Sequence, residues 1–310
     1  MFVNGIFNYE KTIVIEGRGK CKPNEFSECR ILLQHQQPAE HESSTTLSSI
    51  GYELDREITI TVGHGMTHVA CTVDLCLLTM FEGEKCRLQT KCNAASSTDE
   101  YLTLEVTLLS FVAATELCST SYSDKLTHAV TLKELGTAAF KAGNITAAFH
   151  KFSRSLKYLT CADVVNKQSI SSSTHDNVSS TGTDDCPVLL TNGDVTDLNV
   201  CSMSHKGIAQ LTCHCWLNLA ACQLRYQNFR MAAINCSKAL SIDQNNVKGL
   251  FRRAQCYMKT GNEQAAVVDL ERALPLEPGS REIKKLLSTA RQLTRKCDDN
   301  LAAAMSKMFR

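Results

Sequence analysis

The sequence lacks an excess of either charge, a long apolar run and an N-terminal secretion signal. Lysine and arginine together number 33 and aspartate and glutamate 32, so the net charge is +1. Nucleic-acid-binding proteins usually carry a strongly basic face, and this balance gives no support for that class. No apolar run approaches the ~18 residues that cross a bilayer, and residues 1–20 mix charged with apolar residues. We therefore expect neither nucleic-acid nor membrane partners. Any electrostatic recognition of a partner should depend on a small cluster of charges and not on the net charge.

Cysteine is abundant, with 16 residues in the chain. Several cysteines, such as Cys222, Cys236 and Cys256, fall on the apolar faces of predicted helices, where a free thiol acts as a small hydrophobe. Zinc sites need two-by-two spacing that the closely spaced cysteines do not have. These close pairs are Cys71 with Cys76 and Cys213 with Cys215. We predict no metal or other cofactor, and reduced thiols indicate the cytoplasm or the nucleus.

Residues 1–117 are predicted to form an antiparallel β-domain with one helix. Apolar residues alternate with polar ones in short segments bounded by glycine or polar loops, which is typical of half-buried strands. The segments are residues 11–16, 29–34, 57–62, 85–90 and 101–111. In the last of them, the apolar residues share one parity. Residues 73–80 have helical spacing, and residues 38–50 are predicted to form a flexible loop.

Residues 118–128 are predicted to be a linker, and residues 129–310 an all-α domain. From about residue 123, alanine, lysine, leucine and glutamate recur at the three- and four-residue spacing of a helix. Residues 162–206 interrupt this pattern, because they are rich in serine, threonine and aspartate and contain no aromatic residue. Such a segment buries too little apolar surface to offset its chain entropy, so we predict a disordered insert.

The helical region repeats with the period of a tetratricopeptide repeat (TPR). Val247 starts one repeat, and the previous one starts 34 residues earlier at Cys213. An earlier repeat starts at Ala129, and its distance of 84 residues from Cys213 leaves room for the insert. Small residues recur where helices must approach closely, and large ones fill the gaps between neighbours. We predict three repeats followed by a capping helix over residues 282–308.

Five positions on the first helices of these repeats resemble the chaperone-binding subset of the TPR family. Lys133, Asn218, Lys248 and Arg252 match the residues that form a carboxylate clamp in that subset. Thr137 stands where many clamp proteins have asparagine, and the large FK506-binding-type (FKBP-type) immunophilins often carry threonine there. A peptide ending in aspartate presents two neighbouring carboxylates, to which cations and an amide on rigid helices give short, charge-assisted hydrogen bonds. The resemblance thus implies a peptide-binding groove, whereas the alternative is ordinary solvated helix charges.

The first domain resembles the FKBP-type prolyl isomerases over about residues 10–112. The resemblance rests on the glycines of residues 62–65, on Met80 and on the strand pattern of residues 102–109. It implies an aromatic pocket for a prolyl peptide, yet this sequence lacks the aromatic residues that form such a pocket. Val73 stands in the place of the floor tryptophan, His35 replaces a tyrosine, and the loop bearing another tyrosine is cut to residues 92–100. We therefore predict a degenerate domain without isomerase activity, in which His35 is structural.

An FKBP-like domain before TPR repeats resembles the immunophilin co-chaperones, which implies an α+β two-domain fold and a scaffold function. The implied partner is the acidic C-terminal tail of heat-shock protein 90, with heat-shock protein 70 as the alternative. The implied clients are steroid receptors or a cell-cycle inhibitor. A second hypothesis is an active prolyl isomerase tethered to a chaperone. The basic residues of the last helix also fit a calmodulin target, although a repeat cap with a solvated face is the preferred interpretation.

Overall fold

The computed structural model describes residues 9–35, 50–91, 101–172 and 205–308. The chain divides into two compact units. One unit comprises Met1–Leu135 with Arg154–His205, and the other comprises Gly136–Ser153 with Lys206–Arg310. The predicted α+β architecture is confirmed, with an antiparallel sheet followed by helical hairpins. Among the described residues, no helix is long and apolar enough to cross a membrane.

The sheet contains five strands in the order β1-β4-β5-β2-β3, and every neighbouring pair is antiparallel. The strands are β1 (Tyr9–Ile15), β2 (Glu28–His35), β3 (Glu57–Thr61), β4 (Lys85–Lys91) and β5 (Tyr101–Val112). Each contains or closely overlaps the segment predicted from alternation. The apolar residues of β5 that share one parity are fully buried, so the pattern read from the sequence marks the face toward the core. They are Leu102, Leu104, Val106 and Leu108.

Helix α1 (His68–Leu77) covers the inner face of this sheet. Thr67 caps the helix, because its hydroxyl accepts a 3.0 Å hydrogen bond from the backbone N–H of Ala70. Val69, Val73 and Leu77 are fully buried and belong to the same core as the inward-facing residues of the strands. The helix begins five residues before the predicted segment, because the polar Thr67 supplies a cap that periodicity alone does not mark.

Seven further helices follow in the described residues. They are α2 (Tyr122–Lys141), α3 (Ile145–Ser172), α4 (His205–Arg225), α5 (Phe229–Ile242), α6 (Val247–Thr260), α7 (Glu263–Leu276) and α8 (Arg281–Met308). Asn228, Asn246 and Asn262 cap α5, α6 and α7, each accepting a backbone N–H three residues ahead. Small residues predicted at the close helix contacts are completely buried. They are Ala220, Ala232, Ala239, Ala254, Ala266 and Ala273.

Two predicted boundaries differ from the helix ends in the structure. Helix α2 begins at Tyr122, so it occupies the second half of the predicted linker, residues 118–128. Helix α3 continues to Ser172 and α4 begins at His205, so both ends of the predicted insert, residues 162–206, are helical. The remaining part of the insert, residues 173–204, lies outside the described residues.

The predicted capping helix is present as α8, but only its first third is covered. Ile283, Leu287 and Ala290 are buried in a cluster with residues of α6 and α7. The sequence predicted a cap that extends to residue 308, with its apolar residues on one face. The structure leaves Leu301 and Met305 exposed, because α7 has 14 residues and the antiparallel α8 has 28, so α8 continues past the start of α7.

Within the first unit, the loop that follows β3 packs closely against α3. Gly63 has a positive φ of 97°, and a Cβ built there would lie 2.7 Å from Nη1 of Arg154. The Arg154 side chain is almost fully buried and pairs with Glu25 through a 3.1 Å contact between its Nε and Oε1. Phe26 next to Glu25 stacks on His128 of α2, with ring centroids 3.8 Å apart. A side chain at position 63 would therefore displace a buried cation.

We expect Gly63→Ala to destabilise the protein more than Gly83→Ala. Gly83 also has a positive φ, of 77°, but a Cβ added there would have no atom within 4 Å. Both substitutions carry the backbone cost of about 1–2 kcal/mol, and only Gly63→Ala adds the clash with Arg154. The difference should be about 1–3 kcal/mol, measured by urea unfolding. Equal effects of the two substitutions would show that the contact with Arg154 is not tight.

Candidate peptide-binding site

The five residues of the predicted clamp lie on the first helices of successive hairpins. Lys133 and Thr137 are on α2, Asn218 is on α4, and Lys248 and Arg252 are on α6. Lys133 belongs to the first compact unit and the other four residues to the second. The geometry of the clamp is therefore described for Asn218, Lys248 and Arg252, which α4 and α6 hold within one unit.

Arg252 links α6 to α4 at the position of Asn218. Its Nη1 donates a 2.8 Å hydrogen bond to the backbone carbonyl of Leu217, the residue before Asn218. Gly249, one turn earlier on α6, is buried, and a Cβ there would lie 3.1 Å from Leu240 and 3.3 Å from Leu217. The missing side chain allows this close approach. The guanidinium of Arg252 thus lies at the junction between two first helices, against the backbone of the residue before Asn218.

The environment of Arg252 favours the capture of an anion. Burial lowers the pKa of its guanidinium, against the opposing influence of Cys236 and Cys222, but an arginine stays charged at neutral pH. Within the described residues, the rest of its fork hydrogen-bonds no group. A partly desolvated cation with unused donors gains more from a carboxylate than a fully hydrated one does.

Lys248 lies one helical turn before Arg252, so both side chains project from the same face of α6. Lys248 is exposed, and among the described residues it forms no ion pair. It also occupies the first turn of α6, where Asn246 caps the helix and the backbone N–H groups favour negative charge. The amide of Asn218 likewise makes no hydrogen bond to another described side chain. Asn218, Lys248 and Arg252 thus provide hydrogen-bond donors, and none of the three contributes a carboxylate.

Arg253, the neighbour of Arg252, has a different role. Its Nε and Nη2 donate 2.7 and 2.6 Å hydrogen bonds to the two carboxylate oxygens of Asp269 on α7. Its Nη1 donates to the hydroxyl of Ser237 on α5 at 3.1 Å. The hydrogen bonds to Asp269 raise the pKa of this guanidinium. Arg253 thus ties three helices together, and the sequence alone does not reveal this division of labour between two adjacent arginines.

Cys222, Cys236 and Cys256, predicted to lie on apolar helix faces, are buried, and the first two are close enough to influence Arg252. All three are fully buried and free. Burial raises the pKa of Cys222 and of Cys236 to about 12 and that of Cys256 to about 11. The thiols therefore stay protonated at neutral pH and pack as small hydrophobes. Among the described residues, no group of three or more histidine, cysteine or acidic side chains is arranged to hold a metal ion.

Trp216 lies on the helix that carries Asn218 and was not singled out from the sequence. It is half-buried on α4, two residues before Asn218, and the ammonium of Lys238 on α5 lies 4.2 Å from its ring centroid. It is the single tryptophan of the chain, and this is the feature by which the sequence could have drawn attention to it. The indole provides a fluorescent reporter on the contact between α4 and α5.

Two residues of the N-terminal domain stand where the resemblance expects pocket aromatics, and neither is a tryptophan, tyrosine or phenylalanine. Val73 is completely buried in the core beneath the sheet. His35 ends β2 and lies opposite Leu104 of β5. The two shortened or altered loops, residues 38–49 and 92–100, lie outside the described residues.

A buried carboxylate that the sequence analysis missed lies beside Val73. Asp74 accepts a 2.9 Å hydrogen bond from the backbone N–H of Gly65, and the hydroxyl of Tyr52 lies 3.4 Å from its other oxygen. Burial and this carboxylate together raise the pKa of the Tyr52 hydroxyl far above its usual value. The cluster joins α1 to the loops around it, and its members are too far apart in sequence for spacing to reveal it.

Comparisons with known proteins agree with this two-part organisation. Residues 8–112 match the family model described as BDBT FKBP like N-terminal. The mouse peptidyl-prolyl cis-trans isomerase FKBP4 is 26% identical over 302 residues, which cover 92% of this chain and 55% of that protein. Human FKBP4 is 27% identical over 196 residues, covering 63% and 35% of the two chains. The matched regions thus cover 55% or less of the length of these relatives.

Solved structures give weaker similarity. The crystal structure of residues 1–211 of CG17282 aligns with a TM-score of 0.47 and 19% identity, covering 72% of this chain and 92% of that one. The first TPR of Spaghetti (RPAP3), solved with the HSP90 peptide SRMEEVD, aligns with a TM-score of 0.37 and 20% identity. It covers 55% of this chain and 94% of that one.

Proposed function

Since the chain joins an FKBP-like N-terminal domain to TPR-type helical hairpins, we propose that it is a co-chaperone of the immunophilin type. In this proposal, its helical domain holds the acidic C-terminal tail of heat-shock protein 90. The FKBP-like domain and the remaining surfaces are left for client proteins, such as steroid receptors or a cell-cycle inhibitor, in the cytoplasm or the nucleus. Heat-shock protein 70, which shares a terminal aspartate, is the alternative chaperone.

The observation that carries this proposal is the arrangement of Arg252, Lys248 and Asn218. One arginine is anchored to the α4 backbone at 2.8 Å and keeps the other donors of its fork unused. One lysine and one amide with no ion pair or side-chain partner among the described residues flank it on the same two helices. In the proposed complex these groups bind the two carboxylates of a terminal aspartate, and Lys133 and Thr137 complete the clamp. Each charge-assisted hydrogen bond contributes roughly 1.5–3 kcal/mol.

Calorimetric titration with the peptide Met-Glu-Glu-Val-Asp tests the proposal directly. We expect saturable binding with one peptide per chain, and an affinity that falls as salt is added because the recognition is between opposite charges. Quenching or enhancement of the fluorescence of Trp216 offers a second readout. If the peptide does not bind at millimolar concentrations to folded protein, the chaperone-tail proposal is wrong and the helical domain serves another partner.

The second candidate function is prolyl isomerisation, because the relatives are named as peptidyl-prolyl cis-trans isomerases. We propose that this chain has lost that activity. Isomerases of the FKBP type lower the barrier of ~18–20 kcal/mol in an aromatic pocket, and this chain carries Val73 and His35 at two of the aromatic positions. A buried aliphatic side chain in the core gives a prolyl ring no aromatic floor.

We expect the full chain to show no turnover above background in a protease-coupled assay with a proline-containing tetrapeptide. A small FKBP domain, assayed in parallel at equal concentration, serves as the positive control. Turnover close to that of the control enzyme would favour the tethered-isomerase hypothesis.

A further inference from the structure

Two cysteine sulfurs lie against each other in the core of the N-terminal domain. Sγ of Cys76, near the end of α1, is 3.4 Å from Sγ of Cys86, near the start of β4. Both thiols are free and fully buried, and the thioether of Met80 lies 3.8 Å from each of them. Cys71, the nearest cysteine to Cys76 in the sequence, instead donates to the carbonyl of Gly65 at 3.2 Å. The fold, and not the spacing in the sequence, brings the pair together.

The two thiols of this pair differ in how readily they ionise. The hydrogen bond from the Cys76 thiol lowers the pKa of Cys86, and the ammonium of Lys11 acts in the same direction, against burial and Glu84. That ammonium lies 2.6 Å from Glu84, and the Lys11 side chain is 16% exposed. The same hydrogen bond between the thiols raises the pKa of Cys76. Cys86 is thus the sulfur that forms the thiolate, which is the reactive state of a thiol, while Cys76 keeps its proton.

Cys29 of β2 shows what burial alone does in this core. It is fully buried as well, and it has no thiol partner among the described residues. Burial raises its pKa to about 12. Such a thiol is inert, because almost none of it is ionised at neutral pH. The contact between sulfurs therefore distinguishes Cys76 and Cys86 from Cys29, although all three belong to one core.

We propose that Cys76 and Cys86 are an oxidation site at which a small peroxide joins α1 to β4 through a disulfide. The Cys86 thiolate attacks one oxygen of hydrogen peroxide, the O–O bond breaks, and a sulfenic acid and a hydroxide ion result. The Cys76 sulfur then attacks the sulfenic sulfur, so that the S–S bond forms, the S–O bond breaks and a second hydroxide leaves. The protons of the two thiols convert both hydroxide ions to water, and two electrons pass from the sulfurs to one peroxide.

The geometry of the pair favours the second step. A disulfide bond is about 2.0 Å long, so the two sulfurs must approach by roughly 1.4 Å from their separation of 3.4 Å. Only one residue of α1 follows Cys76, and the ends of helices open more readily than their centres. Because both thiols are buried, the oxidant must be small and uncharged. This requirement favours a peroxide over a bulky disulfide such as oxidised glutathione.

Mass spectrometry of the full chain tests this assignment. Exposed thiols are first blocked with N-ethylmaleimide on the folded protein, hydrogen peroxide is then added and removed, and the chain is unfolded, treated with iodoacetamide and digested. We expect a peptide that links Cys76 to Cys86, two hydrogens lighter than the free pair, and its separation by a dithiol reductant. The pair should lose alkylatable thiol at least about tenfold faster than Cys29. Oxidised glutathione should give no linked peptide.

Two single variants separate the two steps of the reaction. In Cys76→Ser, Cys86 should stop at the sulfenic acid, which dimedone traps, and in Cys86→Ser, Cys76 should stay a free thiol. Circular dichroism checks that both variants fold, and the wild-type experiment does not depend on them. The proposal is wrong if peroxide leaves Cys76 and Cys86 as alkylatable as Cys29. It is equally wrong if Met80 gains oxygen while both thiols stay free.

Discussion

Replacing Arg253 by alanine is expected to lower the free energy of unfolding by about 3–5 kcal/mol, the cost of leaving one member of a buried ion pair alone. Asp269 exposes 2% of its surface, and both of its oxygens accept hydrogen bonds from Arg253. Removing the arginine leaves a carboxylate in the interior without its cation. Chemical denaturation followed by circular dichroism measures the loss.

Two further variants separate this buried pair from ordinary surface charge. Arg291 pairs with Glu271 at 2.8 Å, but both side chains are about half exposed, so Arg291→Ala should cost less than about 1 kcal/mol. The double variant Arg253→Met/Asp269→Leu removes both charges and should recover most of the stability lost by Arg253→Ala. If Arg253→Ala proves as mild as Arg291→Ala, the pair does not hold α6 to α7 as inferred.

Truncating the clamp cations is expected to abolish most of the peptide affinity. Each charge-assisted hydrogen bond contributes roughly 1.5–3 kcal/mol, so Arg252→Ala and Lys248→Ala should each weaken binding by about 10–150-fold. Arg252→Lys keeps the charge but loses the planar fork, and we expect an intermediate loss. Calorimetric titration with Met-Glu-Glu-Val-Asp measures all three.

Substitutions at Lys248 and Arg252 differ in whether they also change the stability of the fold. Lys248 is exposed, so Lys248→Ala should leave the unfolding transition unchanged. Arg252 also donates a hydrogen bond to the carbonyl of Leu217, so its truncation costs some stability, and the unfolding curve must accompany the titration. Arg230→Ala is the matched control, because Arg230 is an exposed cation on α5, a second helix of a repeat. Equal losses for Arg230→Ala and Lys248→Ala would point to general charge attraction.

The strands and the repeats were predictable because each follows from a local pattern. In β5, apolar residues such as Leu102 alternate with polar ones, and this alternation depends only on which side of the strand faces the core. The distance of 34 residues from Cys213 to Val247 reflects a helical hairpin that repeats its own packing. In both cases the information lies within a short stretch of chain, so the sequence contains it directly.

Features that depend on packing between distant residues were not predictable. The resemblance selected Arg252 for the clamp, but the structural role of the adjacent Arg253 depends on the location of Asp269 on α7. Likewise, the contact of Asp74 with Gly65 and Tyr52 joins residues from separate elements. The boundary of α3 was misplaced because composition favoured disorder, whereas a helix already formed extends by one hydrogen bond per added residue.

The correction to α8 has the same origin. Periodicity shows that one face of the helix is apolar, but it does not show what covers that face. Leu287 is buried against the preceding hairpin, and Leu301, on the same stripe, is exposed. The apolar stripe of α8 is therefore longer than the hairpin that covers it.

The central claim is that the helical domain recognises a terminal carboxylate, and the most direct measurement compares two forms of one peptide. Met-Glu-Glu-Val-Asp with a free C-terminus and the same peptide with a C-terminal amide differ by one negative charge at the end of the chain. Calorimetric titration of the wild-type protein should give binding at least tenfold tighter for the free acid. Equal affinities for the two peptides would contradict recognition of the chain end by Asn218, Lys248 and Arg252.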